Sequence, residues 1–291
     1  MGVVYRAERV KLGREVAIKF LNGAYASSQE GKRLFQVEAL ASSRLAHPNC
    51  VPVTDFGVEG GEPYLVMDFV YGVPLDQVLR NELRLAPERA VAVTRQLLAG
   101  LAHAHGQGVI HRDVKPENII LTRAEGYGEQ PKLLDFGLGK LRGEESVLSG
   151  VAPGTPSYMS PELAAGERVD ERADLYAVGI ILFELLTGRK PFFSPVLADM
   201  VHMHRHVPPP SVGVTAPELG ISAELEAAVQ RALAKDRDQR FSSAAEFLHA
   251  LEATAEGGAK TRTGWKHPLV LAALGIILAA AVAGGVFSLM N

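Results

Sequence analysis

Hydrophobic and polar side chains alternate along the first part of the chain, and this alternation predicts β-strands. VVYRAERV at 3–10 and REVAIKF at 14–20 show the pattern on either side of a turn at Leu12 and Gly13. The segment YLVMDFV at 64–70 is almost entirely apolar, which is typical of a strand buried on both faces. The first seventy residues should therefore form a small β-sheet.

Helical periodicity accounts for most of the remaining sequence. Ser27 or Ser28 is placed to cap a helix that extends to about Leu45. Apolar residues recur at the helical spacing of 3.6 in three later segments, 87–105, 172–188 and 222–234. The pattern predicts an α+β fold with two lobes. Residues 1–70 should form a small antiparallel sheet with one helix, and residues 71–253 a larger, mainly helical lobe.

The end of the sequence has a different character. Leu269–Met290 contains no charged residue, and its 22 residues would make a helix of roughly 33 Å at about 1.5 Å per residue. That length crosses a hydrocarbon layer of about 30 Å. We expect a transmembrane helix at 268–290, preceded by a flexible linker of small polar residues at 254–267. A buried core helix is the alternative.

Charge around the apolar run predicts its orientation. Lys260, Arg262 and Lys266 precede the run, and no basic residue follows it. Since basic flanking residues stay on the cytoplasmic side, the two-lobed part should be cytoplasmic and the chain a single-pass protein of the cell (inner) membrane. Met1 to Arg9 has no apolar core of the kind that a secretory signal peptide requires.

Overall composition excludes several other classes of protein. The formal net charge of the 291 residues is -3, so no nucleic-acid partner is expected. The one cysteine, Cys50, excludes an internal disulfide and any metal site built from several cysteines. His103 and His105 lie on a predicted helix, and we interpret them as packing or solvent-exposed residues rather than metal ligands.

Chemistry concentrates in two short motifs. HRDVKPEN at 111–118 brings Asp113, Lys115 and Asn118 into one loop, and LLDFG at 133–137 puts Asp135 at the end of an apolar strand. Phosphoryl transfer needs a group that orients the attacking hydroxyl, a cation near the moving phosphate, and oxygen ligands for Mg²⁺. These four side chains provide all three.

The two motifs together resemble the catalytic loop and the metal-binding loop of bacterial eukaryotic-like serine/threonine protein kinases. The resemblance implies that Asp113 accepts the proton of the substrate hydroxyl and that Asn118 and Asp135 bind Mg²⁺. Lys115, two residues after Asp113, matches the serine/threonine-kinase pattern rather than the tyrosine-kinase pattern. The resemblance also implies a bilobal kinase fold, ATP and Mg²⁺ as cofactors, and serine or threonine hydroxyls of proteins as substrates.

VAIK at 16–19 provides a third motif of the same family. Lys19 resembles the lysine that holds the α- and β-phosphates of ATP. Its expected partner is Glu38, which interrupts the apolar stripe of the following helix. An inward-facing carboxylate is tolerated where it is paired with a cation. The resemblance therefore adds Lys19 and Glu38 to the catalytic residues.

The nucleotide pocket follows from the same resemblance. Gly2 matches the third glycine of the phosphate-covering loop, Met67 the gatekeeper, and Asp68 to Val70 the backbone hinge. The residues expected to contact the nucleotide are Gly2, Val4, Ala17, Lys19, Met67, Asp68, Val70, Asn118 and Asp135. Because the family's first two glycines have no counterpart, we expect the natural start to lie upstream of Met1.

GTPSYMSPE at 154–162 resembles the end of a kinase activation segment, which favours protein substrates over small molecules. Glu162 is expected to pair with Arg240, and Asp174 to orient the catalytic loop. Arg112 precedes the catalytic aspartate, as in kinases whose activation segment is phosphorylated.

This pattern predicts phosphorylation of the activation segment, either by self-modification or in trans within a homodimer. The candidate acceptors are Ser146, Ser149, Thr155 and, with less support, Ser157. Two alternatives to an active protein kinase remain. One is a membrane-anchored pseudokinase that acts as a binding scaffold, and the other is a small-molecule kinase of related fold.

Overall fold

The computed structural model describes residues 3–20, 28–124, 128–136 and 156–262. The chain divides into two units, Met1–Glu252 and Ala253–Asn291. The first unit contains the two lobes that the hydrophobic pattern predicts, and every site discussed below lies within it.

The small lobe is a four-stranded antiparallel sheet in the order β1-β2-β4-β3, with one helix on it. Its strands are β1 (Val4–Arg9), β2 (Arg14–Phe20), β3 (Val53–Glu59) and β4 (Glu62–Asp68). The helix α1 (Gln29–Ser42) buries its apolar face against β3 and β4. The alternation of apolar residues predicts β1 and β2 close to their observed bounds, and the apolar run at 64–70 predicts β4 to within two residues at each end.

Ser28 caps α1, as one of the two predicted alternatives requires. Its side-chain oxygen accepts a 3.0 Å hydrogen bond from the backbone N–H of Gly31, which would otherwise have no partner in the first turn. The helix ends at Ser42 rather than at the predicted Leu45. The backbone tightens after Ser42 into three-residue turns, with the N–H of Leu45 bonded to the carbonyl of Ser42 at 3.3 Å.

Strand β3 is absent from the sequence-based prediction. Its segment VTDFGVE mixes polar and small residues, and most of its side chains are exposed or half-buried. The stronger signal is the Gly60-Gly61 turn that follows, where both residues have positive φ angles of 57° and 89°. Glycine adopts that conformation without a steric penalty, so the pair closes a β3–β4 hairpin.

The large lobe is mainly helical, with a second sheet in the order β5-β6-β7 next to the small lobe. These strands are β5 (Val73–Pro74), β6 (Ile119–Ala124) and β7 (Gly128–Leu133). Its helices before the last are α2 (Leu75–Glu82), α3 (Pro87–Gly106), α4 (Pro161–Ala164), α5 (Arg172–Thr187), α6 (Leu197–His206), α7 (Val212–Thr215) and α8 (Ala223–Ala232). Helix α5 is apolar around nearly its whole circumference and forms the centre of the core.

The last described helix, α9 (Ala244–Arg262), corrects part of the predicted linker. Residues 254–262 are helical rather than irregular, because alanine, glutamate and lysine favour helix strongly enough to offset the two glycines in that stretch. Within the described ranges, none of the helices is both long enough and apolar enough to cross a bilayer. The predicted span at 268–290 lies outside those ranges.

Candidate active site

A buried carboxylate holds the loop that contains the HRD motif. Asp174, near the start of α5, is 1% exposed and accepts hydrogen bonds from the backbone N–H groups of His111 at 2.9 Å and Arg112 at 2.8 Å. His105 Nε2 on α3 lies 2.8 Å from the same carboxylate. Burial raises the pKa of Asp174, but its hydrogen bonds to His105 and to the backbone of His111 help to hold the pKa below its usual value. Asp174 therefore has the orienting position expected of it.

This support matters because the loop backbone is strained. Arg112 has a φ angle of +63°, in the left-handed region that non-glycine residues rarely occupy. Such a conformation costs on the order of 1–3 kcal/mol and persists where surrounding contacts determine it. The two backbone bonds to Asp174 provide those contacts and so fix the direction in which the next residue, Asp113, projects.

His111 connects the catalytic loop to the DFG loop. It is fully buried, and its Nε2 lies 2.7 Å from the carbonyl oxygen of Leu134, to which it donates. Its Nδ1 accepts the backbone N–H of Asp113 at 3.2 Å, and its ring packs edge-on against Phe136 with centroids 4.9 Å apart. These contacts require a neutral imidazole protonated on Nε2. The result is a direct link between the residues before Asp113 and those around Asp135.

Three predicted site residues converge within the catalytic loop. Lys115 Nζ lies 2.9 Å and 3.0 Å from the two carboxylate oxygens of Asp113. Asn118 Nδ2 donates to the Asp113 carbonyl oxygen at 2.8 Å and to its carboxylate at 3.1 Å. The side chain of Lys115 is 5% exposed and that of Asp113 is 13% exposed. Asp113 thus remains at the edge of solvent, where a substrate hydroxyl can reach it, while its two partners are buried.

Lys19 and Asp135 form an ion pair across the two lobes. Lys19 lies on β2 in the small lobe, and its ammonium contacts the carboxylate of Asp135, which follows β7 in the large lobe. Both side chains are less than a tenth exposed. Asp135 also has a φ angle of +63°, so its backbone is held in a conformation that L-residues avoid. The pair places a cation and a carboxylate at one end of the space between the lobes.

That space is a cleft of about 420 Å³, within the range of small-molecule sites in proteins. One side is apolar and the other carries the polar groups just described. The lining residues are Val4, Ala17, Lys19, Met67, Asp68, Phe69, Val70, Lys115, Glu117, Asn118, Ile120, Leu134 and Asp135. Eight of the nine predicted nucleotide contacts are in this set. The ninth, Gly2, lies outside the described residues.

Of the predicted catalytic residues, Lys19 and Lys115 line the cleft, and Asp113 contacts Lys115 beside it. Glu38 is not among the lining residues. It lies on α1 and is half-buried. Its pairing with Lys19 stays a prediction. Ser42, on the last turn of the same helix, donates a 2.9 Å hydrogen bond to the carbonyl oxygen of Phe136. Helix α1 is therefore attached to the DFG loop, and a displacement of the helix would disturb the neighbouring Asp135.

The predicted pair of Glu162 and Arg240 is present and buried. Two guanidinium nitrogens of Arg240 donate to the two carboxylate oxygens of Glu162 at 2.8 Å and 2.7 Å. Arg240 also donates to three backbone carbonyls, those of Ala234, Arg172 and Lys235. Burial raises the pKa of Glu162, but the hydrogen bonds and charge of Arg240, together with the hydrogen bond of Ser160, hold the pKa below its ordinary value.

Comparison with known proteins accounts for this arrangement. The family model described as the protein kinase domain matches residues 1–251. The chain belongs to the protein kinase domain family. Among solved structures, the crystal structure of the Mycobacterium tuberculosis PknI kinase domain is similar, with 32% identity and a TM-score of 0.69, over 87% of this chain and 91% of that one. The bilobal kinase fold expected from the sequence is thereby confirmed.

The curated relatives of this kinase domain are longer proteins. Serine/threonine-protein kinase pkn3 of Myxococcus xanthus is 40% identical over 259 residues, which cover 87% of this chain and 47% of that protein. PknJ of Mycobacterium tuberculosis is 40% identical over 271 residues, covering 92% of this chain and 45% of that protein. This chain thus spans less than half the length of these relatives.

The structure adds site residues that the sequence-based interpretation of this kinase domain does not include. Glu117, Ile120 and Leu134 line the cleft, and His105 supports the catalytic loop. The sequence predicts that His105 is a packing or solvent-exposed residue, yet the structure places it within hydrogen-bond distance of the buried Asp174. The signal available in the sequence was its position, six residues before His111 at the end of a predicted helix. That position alone does not distinguish an ordinary helix terminus from a residue that supports the catalytic loop.

Proposed function

We propose that this chain is an ATP-dependent protein kinase that transfers the γ-phosphate of ATP to serine and threonine hydroxyls of proteins. The observation that carries the proposal is that Lys19, Lys115, Asn118 and Asp135 line one cleft between the lobes. Asp113 lies beside it, in contact with both Lys115 and Asn118. The names of the relatives support the same activity.

The lining of the cleft fits a nucleotide. Val4, Ala17 and Met67 from the small lobe, with Ile120 and Leu134 from the large lobe, provide an apolar slot suited to a flat base. The ammonium of Lys19 lies at the polar end, where phosphates would extend. A base in the slot and anionic groups near Lys19 match the two chemically different ends of ATP.

The donor set beside Lys19 fits Mg²⁺. Asp135 offers a carboxylate, and Asn118 has its amide nitrogen bonded to Asp113, which leaves the amide oxygen as the ligating atom. Hard oxygen donors of this type suit Mg²⁺. When bound with ATP, the ion would neutralise charge on the phosphates. Asn118 and Asp135 would hold it, and Lys19 would hold the phosphate oxygens.

Asp113 and Lys115 carry the transfer step. The carboxylate of Asp113 orients the attacking hydroxyl of the substrate and accepts its proton, while the buried ammonium of Lys115, 2.9 Å away, offsets the negative charge of the transferring phosphoryl group. The proton leaves the hydroxyl oxygen as that oxygen bonds to phosphorus, and the bond between the γ-phosphorus and the bridging oxygen breaks. ADP is the leaving group.

A phosphotransfer assay tests the proposal. With γ-labelled ATP and Mg²⁺, label should enter serine or threonine of a model protein substrate, and removal of the metal with EDTA should stop it. Self-phosphorylation in trans through a transient homodimer should give a rate that rises with the square of protein concentration, at concentrations where most of the protein is monomeric. If ATP binds but no label is transferred, the pseudokinase alternative is favoured. If label enters a small molecule only, the related small-molecule kinase is favoured.

We further propose that the chain is tethered to the cell membrane with the kinase lobes in the cytoplasm. The support is the uncharged run Leu269–Met290 and the basic residues Lys260, Arg262 and Lys266 before it. Protease added to intact spheroplasts should leave the kinase domain undigested, and the protein should sediment with membranes. Digestion from outside would overturn the orientation, and recovery in the soluble fraction would overturn the tether.

A further inference from the structure

The predicted hinge, Asp68 to Val70, continues to Gly72 before β5 begins, so the segment that leads from β4 in the small lobe to β5 in the large lobe is 68–72. This whole segment is called the hinge below. Asp68, Phe69 and Val70 line the cleft. The far end of the hinge has no room to move towards β6, because a Cβ built on Gly72 would lie 2.5 Å from the carbonyl oxygen of Leu121. The large lobe therefore fixes one end of the hinge, and the position of the other end depends on contacts with the small lobe.

Arg6 of β1 makes such a contact from outside the cleft. Its guanidinium carbon lies 4.9 Å from the ring centre of Phe69 and 5.7 Å from that of Tyr71. The two rings meet edge to face, with centroids 5.0 Å apart, and Arg6 Nη2 donates to the Tyr71 hydroxyl at 3.3 Å. We call these three side chains the hinge stack. A guanidinium over aromatic faces is an attractive arrangement that a lysine does not reproduce.

Neighbouring contacts hold Arg6 in this position. Arg6 Nε donates to the carboxylate of Glu15 on β2 at 2.7 Å. The backbone of Glu15 also accepts a hydrogen bond from the N–H of Phe69 at 3.4 Å, and Arg14 Nη2 bonds to Asp68 at 2.8 Å. The β1–β2 hairpin therefore contacts the hinge at several points, and among the contacts named here the hinge stack includes a residue of β1.

The register of β1 places Arg6 at the rim of the nucleotide slot. Arg6 pairs with Ala17, which lines the cleft, and side chains two apart on a strand point to the same face. Val4, two residues before Arg6, also lines the cleft. Arg6 itself is not among the lining residues, so it acts on the slot through Phe69 rather than by contact with the base.

We propose that Arg6 is a positioning residue for the nucleotide. The hinge stack fixes the separation between the roof of the slot, formed by Val4 and Ala17, and the hinge backbone, and this separation sets the affinity for ATP. The inference rests on the proposed function, since it assumes that ATP is the molecule in the cleft. It adds Arg6, which lies outside the kinase motifs, and the interaction that positions Arg6 is its cation–π contact with Phe69 and Tyr71 of the hinge.

The test is ATP affinity and turnover in the full chain, purified in detergent. Arg6→Ala is expected to raise the Kd and the KM for ATP roughly three- to tenfold, the range given by loss of one or two exposed cation–π contacts. The value of kcat should change less than twofold, because Asp113, Lys115 and Asn118 are untouched. Lys11→Ala, an exposed cation in the same hairpin, is the matched control and should leave the Kd unchanged.

Tyr71 separates the hinge stack from a general effect on folding. Tyr71→Ala should weaken ATP binding to a similar extent, and the double variant with Arg6→Ala should be little worse than either single variant, since both remove the same interaction. Tyr71→Phe, which keeps the ring, should retain most of the affinity. Arg6→Lys should restore only part of it.

Each other outcome overturns the inference. An unchanged Kd for ATP in Arg6→Ala, additive losses in the double variant, or equal losses in kcat and KM would each remove Arg6 from a positioning role. These results differ from failure of the proposed function itself. If the proposed function fails, the wild-type chain will not bind ATP or will not transfer phosphate. If the wild-type chain is active and Arg6→Ala binds ATP with the wild-type Kd, only the positioning role of Arg6 is refuted.

Discussion

Asp113→Asn is expected to reduce the rate of phosphotransfer by about 10²–10⁴-fold, the usual contribution of a positioned general base. Asparagine has nearly the same shape and keeps the backbone carbonyl that Asn118 Nδ2 contacts at 2.8 Å. It loses the negative charge that holds Lys115 at 2.9 Å and that accepts the substrate proton. The effect should therefore appear in kcat, with little change in the Kd for ATP.

Steady-state kinetics with a peptide substrate measures this effect, and circular dichroism checks that the fold is retained. Asp55→Asn is the matched control, because Asp55 is an exposed carboxylate on β3 outside the cleft. It should have wild-type kcat. A rate for Asp113→Asn equal to that of wild type would contradict the assignment of the catalytic loop and with it the proposed function.

The residues on which this prediction depends are foreseeable from the sequence because their chemistry is local. Asp113, Lys115 and Asn118 lie within six positions of one another, so a short loop is enough to bring them together. Asp135 and Lys19 are more distant, but each has an apolar residue on either side in the sequence, and a charge in such surroundings requires a partner. The structure supplies that partner by pairing the two with each other.

Other features depend on long-range contacts that the local pattern does not encode. His105 gains its role from Asp174, 69 positions later in the chain. Strand β3 has few buried side chains and is stabilised by its pairing with β4, which its own sequence does not reveal. The hinge stack likewise joins Arg6 to Tyr71 across 65 positions. Such contacts become visible only once the topology is known.

The Glu162–Arg240 pair is predictable in part. The sequence motifs predict that the two residues pair, but only the structure shows that the pair is buried, and burial determines how much its loss costs in stability. Glu162 is 5% exposed and Arg240 is 2% exposed. Removing one member of a buried pair leaves an uncompensated charge, at a cost of about 3–5 kcal/mol. Arg240→Met, which keeps the apolar stem, should lower the free energy of unfolding by that amount at neutral pH.

The loss should depend on pH in a defined direction. In the wild-type protein the pKa of Glu162 lies below its ordinary value, so the pair's contribution is present above about pH 4.5 and is lost as the pH falls through the folded-state pKa. In Arg240→Met the buried carboxyl takes up a proton more readily. The difference in unfolding free energy between the two proteins should therefore be largest near pH 7 and shrink towards pH 4.

Urea unfolding followed by circular dichroism measures both effects. Arg80→Met is the control, because the Arg80–Asp76 pair joins adjacent turns of α2 and the arginine side chain is 67% exposed. Its loss should cost less than about 1 kcal/mol. Adding Glu162→Gln to Arg240→Met should recover part of the stability, since it removes the stranded charge. Equal losses for Arg240→Met and Arg80→Met, or a loss for Arg240→Met that grows in acid, would show that the buried pair does not clamp the large lobe.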